Sequence, residues 1–474
     1  MCGIFGAVAG KASPEILELG FFGLSQLQHR GQESAGFAYS DGKSVWIEKG
    51  EGLISHVLTN EKVSEALSRA PLMMIAQTRY STSKGTSSRN IQPQYINDLF
   101  LGEIAIVHNG NIPNLESKKA ELAKNGIDIS PEANDTEFML KKINFLMEKN
   151  GRDMVKAIRS FMESTSGSYS AAILCKRGVY IFRDPWGNRP LFISSKDGVM
   201  LFASETCALE DYSSRIISID PGRIVSLCPY EDPGFVDVHG RGLLPREEKN
   251  PKAHCIFEKI YFARPDSQTF GNEQEGSFRF RLGRKLAQLY PVPGSDLVSG
   301  IPESGRPAAA GFAFESHLPT LDIYTRNPFI LGRTFINPNP GDRASYSKKK
   351  YHLMKWVLEY AKNKSIVLVD DSIVRGNTLK GKVSQLFKAG AKEVHLRISA
   401  PPVVNPCFYG IDLPTRDELI AAGKSEEEIR KWLGATSLKY LPMSAVEEVV
   451  RESGQEPINF CTACFTGNYP IPLD

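Results

Sequence analysis

The chain has 474 residues, which is enough for two or three domains of ordinary size. Hydrophobic residues make up 41% and charged residues 23%, and the formal net charge is +3, so a disordered or strongly basic protein is excluded. Apolar runs are shorter than the ~20 residues of a membrane helix, no basic region precedes the apolar N-terminus, and the 8 cysteines are too few for a disulfide scaffold. We therefore expect a cytoplasmic protein with reduced cysteines and no nucleic-acid or membrane partner.

Residues 1–230 alternate short apolar runs with segments of helical periodicity. The runs predict strands at Cys2–Val8, Leu72–Gln77, Ile104–Val107, Ser168–Cys175, Val179–Arg183, Pro190–Ser194 and Val199–Ala203. The periodic segments predict helices at Ile16–Gln28, Glu116–Lys124, Thr136–Lys149 and Met154–Met162, with Asp135 as a helix cap. Strands and helices that come in blocks indicate sheets covered by helices.

Residues 231–275 are rich in Gly, Pro and charge, and we place a domain boundary there, near residue 240. The later part predicts a helix at Ser277–Leu289 and a strand at Asp296–Val298. A βαβ unit of a parallel sheet follows, with strands Ile366–Val369 and Glu393–Ile398 and helix Leu379–Ala389. Residues 414–453 look like short helices packed outside this sheet.

The second residue is a cysteine, and its position gives it a special chemistry. If Met1 is removed, Cys2 carries a thiol with an ordinary pKa of ~8.5 and a free α-amine with one of ~7.7–8.0. A base that ionises near neutral pH is then attached to the nucleophile it has to activate. A cysteine at position 2 also arises by chance, so this residue alone indicates no function.

Six motifs that follow one another along the chain indicate that Cys2 has a function. They are Cys2–Gly6, His29–Gly36, Thr78–Thr82, His108–Asn111, Asn134–Glu137 and Arg183–Leu191. Together they closely resemble class II glutamine amidotransferases, which are N-terminal-nucleophile hydrolases. The resemblance implies an α+β domain with αββα layers over residues 2–240.

The same resemblance implies a role for each residue of the glutamine site. Cys2 would attack the side-chain amide of glutamine, and the Asn109 side chain and the Gly110 N–H would form the oxyanion hole. Arg79 would bind the α-carboxylate of glutamine through a bidentate pair, and Asp135 would bind its α-ammonium group. Taken singly, Arg79 also fits a surface ion pair and Asp135 a simple helix cap.

The segment Val367–Thr378 carries the second strong signal. A buried strand delivers two adjacent carboxylates, and a turn with Ser, Gly and Thr then opens a helix, whose N-terminus suits a phosphate. The Gly-x-x-x-x-Gly-Lys-[Ser/Thr] pattern of a Walker loop is missing. The segment instead resembles the phosphoribosyl-pyrophosphate loop of type I phosphoribosyltransferases. This resemblance implies that residues 241–474 form an α/β phosphoribosyltransferase domain.

This second resemblance implies a binding site for phosphoribosyl pyrophosphate. Its residues would be Arg333, Asp370, Asp371, Ser372, Arg375, Gly376 and Thr378. Ser304, in the Ile301–Gly305 loop, would join Asp370 and Asp371 at a Mg²⁺ ion. Arg333 lies in Gly332–Ile336, which matches the mobile loop of the family.

Both halves in this order resemble the glutamine phosphoribosylpyrophosphate amidotransferases from end to end. The resemblance implies ammonia release at Cys2 and its transfer to phosphoribosyl pyrophosphate, giving 5-phosphoribosylamine, glutamate and pyrophosphate in the first step of purine synthesis. It also implies a homotetramer inhibited by purine nucleotides. Because Asn327–Leu331 lacks the lysine usual there, a paralogous glutaminase with an altered transferase domain is an alternative. A non-catalytic sensor of phosphoribosyl pyrophosphate is a third possibility, against which the intact Cys2 motifs count.

Four cysteines form a separate pattern. Cys461–Cys464 is a C-x-x-C pair, which fits a redox, zinc or iron–sulfur site, although no second C-x-x-C supports a zinc ribbon. Cys255, Cys407, Cys461 and Cys464 match the ligand positions in the cluster-bearing branch of the family, which implies a [4Fe–4S] cluster. Four buried cysteines without metal are the alternative.

Overall fold

The computed structural model describes residues 1–11, 15–80, 88–213, 215–229, 251–327, 351–413 and 415–473. They form two compact units. The first unit comprises Met1–Cys255, Phe408–Asp412 and Tyr469–Asp474, and the second comprises Ile256–Cys407 and Leu413–Asn468. The predicted boundary at residues 240 and 241 falls outside the described residues. Within those ranges, no helix combines the length and the apolar character that crossing a membrane requires.

Two antiparallel sheets make up the centre of the first unit. The seven-stranded sheet has, in spatial order, β11 (Ile216–Ser218), β9 (Phe192–Lys196), β10 (Val199–Ala203), β1 (Gly3–Ala9), β4 (Met73–Arg79), β2 (Ser34–Ser40) and β3 (Val45–Glu51). The five-stranded sheet has β12 (Ile224–Leu227), β8 (Gly178–Arg183), β7 (Ser168–Cys175), β6 (Gly102–Asn111) and β5 (Gln94–Asp98). A further short strand, β13, covers His254–Cys255.

The alternation of side chains along each strand explains the layers. In β1, Ile4 and Val8 point into a core shared with Val107 and Leu174 of the other sheet. Phe5 points the opposite way, into a core with the first helix. The helices on the seven-stranded sheet are Glu15–Gln26, Ile54–Val57 and Asn60–Ser68, and those on the five-stranded sheet are Leu115–Lys124, Asp135–Lys149 and Met154–Ser164. The expected αββα fold is therefore confirmed.

One cap differs from the sequence prediction. Asn134, not Asp135, caps the helix Asp135–Lys149, because its side-chain oxygen accepts from the backbone N–H of Glu137 at 2.8 Å. Asp135 is the first helical residue, so its carboxylate remains available for another contact. Helix ends are hard to place from sequence when two capping residues stand side by side.

A parallel four-stranded sheet forms the centre of the second unit. Its strands are, in spatial order, β14 (Leu297–Gly300), β17 (Ser365–Asp370), β18 (Glu393–Ile398) and β19 (Ser437–Tyr440). The predicted βαβ unit is confirmed by β17, helix Asn377–Lys388 and β18. Short helices lie within 414–453 as predicted, but Ser437–Tyr440 forms an additional strand, β19, which pairs with β18 and is too short to show a period.

The remaining elements of the second unit surround this sheet. A two-stranded ribbon pairs β15 (Tyr324–Arg326) with β16 (Tyr351–Leu353), and β20 covers Phe460–Cys461. The other α-helices are Glu275–Leu289, Gly305–Ser316, Lys355–Ala361, Ile420–Gly423, Glu426–Leu433, Met443–Glu452 and Ala463–Thr466. Short 3₁₀ or π turns of this unit lie at Glu258–Phe262, Arg416–Glu418 and Pro457–Asn459, and those of the first unit lie at Gln28–Arg30, Ser88–Asn90 and Thr206–Ala208.

Strand register places two loops of the second unit side by side. Gly300 at the end of β14 lies opposite Val369 of β17. The N–H of Ile301 then donates to the carbonyl of Val369 at 2.9 Å. The Ile301–Gly305 loop therefore runs beside the residues that follow β17, at the carboxyl edge where parallel sheets bind ligands.

A pair of glycine substitutions tests the packing of the second unit. A Cβ on Gly283 would lie 1.9 Å from the carbonyl oxygen of Ala308, so Gly283→Ala should destabilise the protein by about 1–3 kcal/mol. Exposed Gly381 in another helix has nothing within 4 Å of such a Cβ, and Gly381→Ala should stabilise by up to about 1 kcal/mol. Thermal midpoints should move in opposite directions, and a shift of both in one direction would contradict this packing.

Candidate functional site

Cys2 lies at the start of β1 and is held by three hydrogen bonds. Its backbone nitrogen donates to Oδ1 of Asn109 at 3.2 Å, and its thiol lies 3.9 Å from the carbonyl oxygen of Tyr80. The guanidinium of Arg30 donates to the carbonyl of Cys2 at 2.8 Å. The thiol is therefore presented, partly exposed, where β1, β4 and β6 come together.

Asn109 keeps an unused donor next to this thiol. The residue is fully buried, and its Nδ2 makes no hydrogen bond with the described residues. A buried amide without a partner costs free energy, so it marks a place where a ligand acceptor fits. The neighbouring Gly110 has φ +151°, and a Cβ there would lie 1.9 Å from the carbonyl oxygen of Ser168, so no other residue fits.

A buried ion pair anchors Arg30 and, through it, Cys2. Arg30 contacts Glu205, and both side chains are fully buried. Glu205 also accepts from Nε2 of His29 at 2.9 Å. Sequence reasoning assigned no role to these residues, although His29 and Arg30 stand in one motif and Glu205 in none. Glu205 lies far along the chain from His29 and Arg30, so no local pattern indicates this contact.

Arg79 and Asp135 flank the same region. Arg79 ends β4, is 8% exposed, and its guanidinium makes no ion pair or side-chain hydrogen bond within the described ranges. Tyr80, which accepts from Cys2, is the next residue. Oδ2 of Asp135 lies 3.8 Å from Nδ1 of His108, the residue before Asn109. Among the described residues, a cation without an ion pair and a partly exposed carboxylate are suited to the two ends of an amino acid.

His108 is a buried residue of β6 that lies next to Asn109. It is 2% exposed, and its Nδ1 lies 3.3 Å from Oγ1 of Thr136. Burial lowers the pKa of His108, and the nearby Asp135 only partly opposes this effect. The imidazole is therefore neutral at pH 7.

The acid pair of the second unit lies where the sequence predicted it. Asp370 ends β17, and Oδ1 of Asp370 accepts from the N–H of Asp371 at 3.0 Å. The hydroxyls of Ser304 and Ser372 each donate to a different oxygen of Asp371 at 2.5 Å. Burial raises the pKa of both carboxyls, and for Asp370 the charge of Asp371 adds to the effect.

The turn after the acid pair opens a helix toward the same edge. Gly376 has φ +78°, a left-handed conformation that glycine adopts without strain, and helix Asn377–Lys388 follows it. The free N–H groups of its first turn, which contains Thr378, favour an anion. Arg375 forms an ion pair with Glu418 at 2.6 Å. Arg333 lies outside the described residues.

Ser304, Asp370 and Asp371 fit Mg²⁺ by their chemistry. The contacts above collect two carboxylates and a hydroxyl, and Mg²⁺ in proteins is usually held by one or two carboxylates together with substrate phosphates. No group of three or more His, Cys, Asp or Glu placed to hold a metal occurs in the described part of the chain. The residues present therefore suit a metal ion that arrives with a phosphate ligand.

Three of the four predicted cluster cysteines lie in the second unit. Cys461 and Cys464 are buried, and the carbonyl of Cys464 accepts from the N–H groups of Val404 and Asn405 at 3.0 and 3.1 Å. These bonds hold the segment that leads to Cys407 against the C-x-x-C pair. Cys255 is buried and belongs to the first unit. Thiolates are the donor type that iron–sulfur groups use, but these cysteines are not among any group of three or more residues placed to hold a metal in the described part of the chain.

Known proteins are similar to this chain over its whole length. The family described as "Glutamine amidotransferase domain" matches residues 78–211. Amidophosphoribosyltransferase of Rattus norvegicus is 36% identical over 521 residues, covering 100% of this chain and 98% of that protein. Amidophosphoribosyltransferase of Methanocaldococcus jannaschii is 38% identical over 481 residues, with 100% and 98% covered.

The chain belongs to the amidophosphoribosyltransferase family. Two solved structures agree, each with a TM-score of 0.85 and 34% identity. One is described as the allosteric regulatory enzyme of purine biosynthesis, with 100% of this chain and 97% of that chain covered. The other is the glutamine phosphoribosylpyrophosphate amidotransferase of B. subtilis complexed with ADP and GMP, with 100% and 98% covered. The predicted pairing of an N-terminal-nucleophile domain with a phosphoribosyltransferase domain is therefore confirmed for this member of the family.

The buried His108 gives a stability prediction with a defined sign. Its pKa is lower in the folded chain than the ~6.5 of an unfolded chain, so the unfolded state binds more protons as the pH falls below about 6.5. Stability should then fall by up to about 1.4 kcal/mol per pH unit on this account, and His108→Gln should remove that part of the loss. Unfolding midpoints measured at about pH 7.5 and 5.5 check this expectation.

The matched control is His352→Gln, since His352 is exposed on β16. It should leave the difference in midpoint between the two pH values as in the wild type. An equal acid loss in the His108→Gln variant and the wild type would show that protonation of His108 does not weaken the fold.

Proposed function

We propose that this chain is a glutamine-dependent amidophosphoribosyltransferase. It hydrolyses glutamine to glutamate and ammonia at Cys2. The ammonia displaces pyrophosphate from C1 of phosphoribosyl pyrophosphate, giving 5-phosphoribosylamine. The single observation that carries the proposal is the pair of Cys2 and Asn109, in which the amide accepts from the Cys2 nitrogen and keeps a buried, unpaired N–H₂ group.

In the glutaminase half, the Cys2 sulfur attacks the side-chain carbonyl carbon of glutamine. The developing oxyanion accepts hydrogen bonds from Nδ2 of Asn109 and the N–H of Gly110, each worth about 2.7–4 kcal/mol in related sites. The α-amine of Cys2, freed by loss of Met1 and held by Oδ1 of Asn109, takes the thiol proton and gives it to the amide nitrogen of the tetrahedral intermediate, which then leaves as ammonia. Water then cleaves the thioester and releases glutamate.

Arg79 and Asp135 orient the substrate of this first step. The α-carboxylate of glutamine pairs with the unpartnered guanidinium of Arg79, and its α-ammonium group pairs with Asp135. Arg79 stands at the end of β4 and Asp135 at the start of a helix, so both charged groups have fixed positions. Because they hold the bound glutamine in one orientation, its side-chain amide reaches Cys2 with little further loss of entropy.

In the transferase half, Asp370 and Asp371 accept hydrogen bonds from ribose hydroxyls. The 5-phosphate binds the turn of Ser372, Arg375, Gly376 and Thr378 at the helix N-terminus. Arg333 neutralises charge on the pyrophosphate leaving group, as the family resemblance implies. Ser304, Asp370 and Asp371 would hold Mg²⁺, which supplies positive charge to the leaving pyrophosphate when bound.

In this proposal a structural [4Fe–4S] cluster would be held by Cys255, Cys407, Cys461 and Cys464. The donor type and the hydrogen bonds that join Cys464 to the Cys407 segment support it. By the same resemblance the enzyme is a homotetramer, and purine nucleotides inhibit it. The relative from B. subtilis complexed with ADP and GMP supports nucleotide binding.

Two variants test the separation of the half-reactions. Cys2→Ala should abolish glutamate formation from glutamine, because no nucleophile remains, while synthesis from added ammonia persists. Asp370→Asn should do the reverse, sparing basal glutaminase and reducing pyrophosphate release. Glutamate and pyrophosphate are measured together in the presence of glutamine, phosphoribosyl pyrophosphate and Mg²⁺.

The outcomes of that assay distinguish the alternatives. Glutamate without pyrophosphate from the wild type would favour a glutaminase with an altered second domain. Loss of both activities in Cys2→Ala would overturn the two-site mechanism. Neither product from the wild type would favour a sensor.

Iron analysis tests the cluster. Protein isolated without oxygen should be brown and contain about four irons per chain, and Cys464→Ser should lose them. Cys228→Ser is the control, since Cys228 is partly exposed and outside the proposed ligand set, and it should keep its iron. Colourless wild-type protein containing only zinc would refute the cluster.

A further inference from the structure

Three polar side chains of the first unit are buried close to Asp135. Gln92, His108 and Thr136 are 5%, 2% and 0% exposed, respectively. Apolar side chains could fill such positions without the cost of desolvating hydrogen-bonding groups. The polar residues are explained by the hydrogen bonds that they make with one another and with Asp135.

Gln92 holds the backbone of β6 at the point where the pairing with β5 has ended. In that pairing, Gln94 lies opposite Ile106. The same register places Gln92 opposite His108, although β5 itself begins only at Gln94. The backbone N–H of His108 donates instead to Oε1 of the Gln92 side chain at 2.7 Å. The Gln92 amide therefore fixes the strand directly before Asn109.

The other end of the Gln92 amide binds the residue that follows Asp135. Its Nε2 donates to the hydroxyl oxygen of Thr136 at 2.8 Å. This hydroxyl lies 3.4 Å from Oδ1 of Asp135 and donates to it, because a carboxylate can only accept. One glutamine side chain thus joins the backbone beside Asn109 to the hydroxyl that contacts Asp135.

These contacts occupy one oxygen of Asp135 and leave the other for a ligand. Oδ1 accepts from the backbone N–H of Thr136 at 2.9 Å as well as from its hydroxyl. Oδ2 makes no hydrogen bond with the described residues, and the side chain is 19% exposed. The orientation of the carboxylate is therefore set by Thr136, which Gln92 holds in turn.

We propose that Gln92 and Thr136 are positioning residues of the glutamine site, which hold Asp135 so that its free oxygen meets the α-ammonium group of the substrate. This inference rests on the proposed function. Because the Gln92 amide also bonds the backbone before Asn109, it fixes the carboxylate relative to the oxyanion hole. The pair thereby makes the site selective for ligands that carry an α-amino group.

Thr136→Val removes the hydroxyl and keeps the branched shape of the side chain. The KM for glutamine should rise roughly three- to tenfold, which is the effect of losing an ordinary hydrogen bond. The kcat value should change little, since the α-ammonium group and the reacting amide are at opposite ends of glutamine. Thr136→Ser restores the hydroxyl and should bring the KM back toward the wild-type value. Glutamate formation is measured at varied glutamine with phosphoribosyl pyrophosphate and Mg²⁺ present.

Two competing ligands show whether the effect passes through Asp135. L-Glutamate carries the α-ammonium group, and glutarate is the same molecule without it. As competitors of glutamine, glutamate should bind the wild type at least about tenfold more tightly than glutarate, because it adds a charged pair. Thr136→Val should weaken the inhibition by glutamate and leave that by glutarate unchanged. A general distortion of the site would weaken both equally and overturn the proposal.

Gln92→Met and Gln94→Met form a matched pair of variants. Gln94 is also buried, and its Nε2 donates to two backbone carbonyls, but it makes no hydrogen bond to Thr136 or Asp135. Gln92→Met should reduce the preference for glutamate over glutarate, whereas Gln94→Met should keep it. An equal reduction in both variants would reveal a general effect of losing a buried amide, and the proposal would fail.

Two further results bear on the proposal. A folded Thr136→Val protein with the wild-type KM and the wild-type preference for glutamate would overturn it. If that variant does not fold, Gln92→Met and Thr136→Ala are measured in its place, and unfolding of all three would show a purely structural role. A wild type that does not hydrolyse glutamine, or that binds glutamate and glutarate equally, would instead defeat the proposed role of Cys2 or of Asp135, and this inference with it.

Discussion

The hydrogen bond from Arg30 to the carbonyl of Cys2 is the contact on which the first site depends. A residue so near a chain end is usually mobile, because few contacts restrain it. Here the strand that follows lies inside a seven-stranded sheet, and the arginine is itself fixed by a fully buried carboxylate. The proposed nucleophile is therefore restrained by the sheet although it lies at the start of β1.

The first site contains a polar group without a partner among the described residues. Asn109 keeps a buried Nδ2 donor. This donor is unfavourable for folding alone, since a desolvated polar atom loses its bonds to water. Because Oδ1 of the same amide accepts from the nitrogen of Cys2, a ligand acceptor bound beside that residue would offset the cost.

Much of this arrangement could be predicted from the sequence, for identifiable reasons. The strands of the acid pair are short, apolar and β-branched, and the cysteine and its motifs carry chemistry at fixed spacing. By contrast, β2 begins with the small residues Ser34, Ala35 and Gly36, and β19 has only four residues, so pairing with neighbours defines both strands. The contact of Glu205 with Arg30 joins residues far apart in sequence, and no local pattern reveals it.

The position of β1 has a consequence for the timing of activity. The strand is the first to be synthesised, yet one of its partners is β10, where Phe5 lies opposite Ala203. The sheet around Cys2 can therefore close only after roughly 200 residues have left the ribosome, since pairing over such a sequence separation is slow and late. A nascent chain consequently carries the proposed nucleophile long before the sheet that positions it has formed, and the first unit is complete only when its last segment, Tyr469–Asp474, has been made.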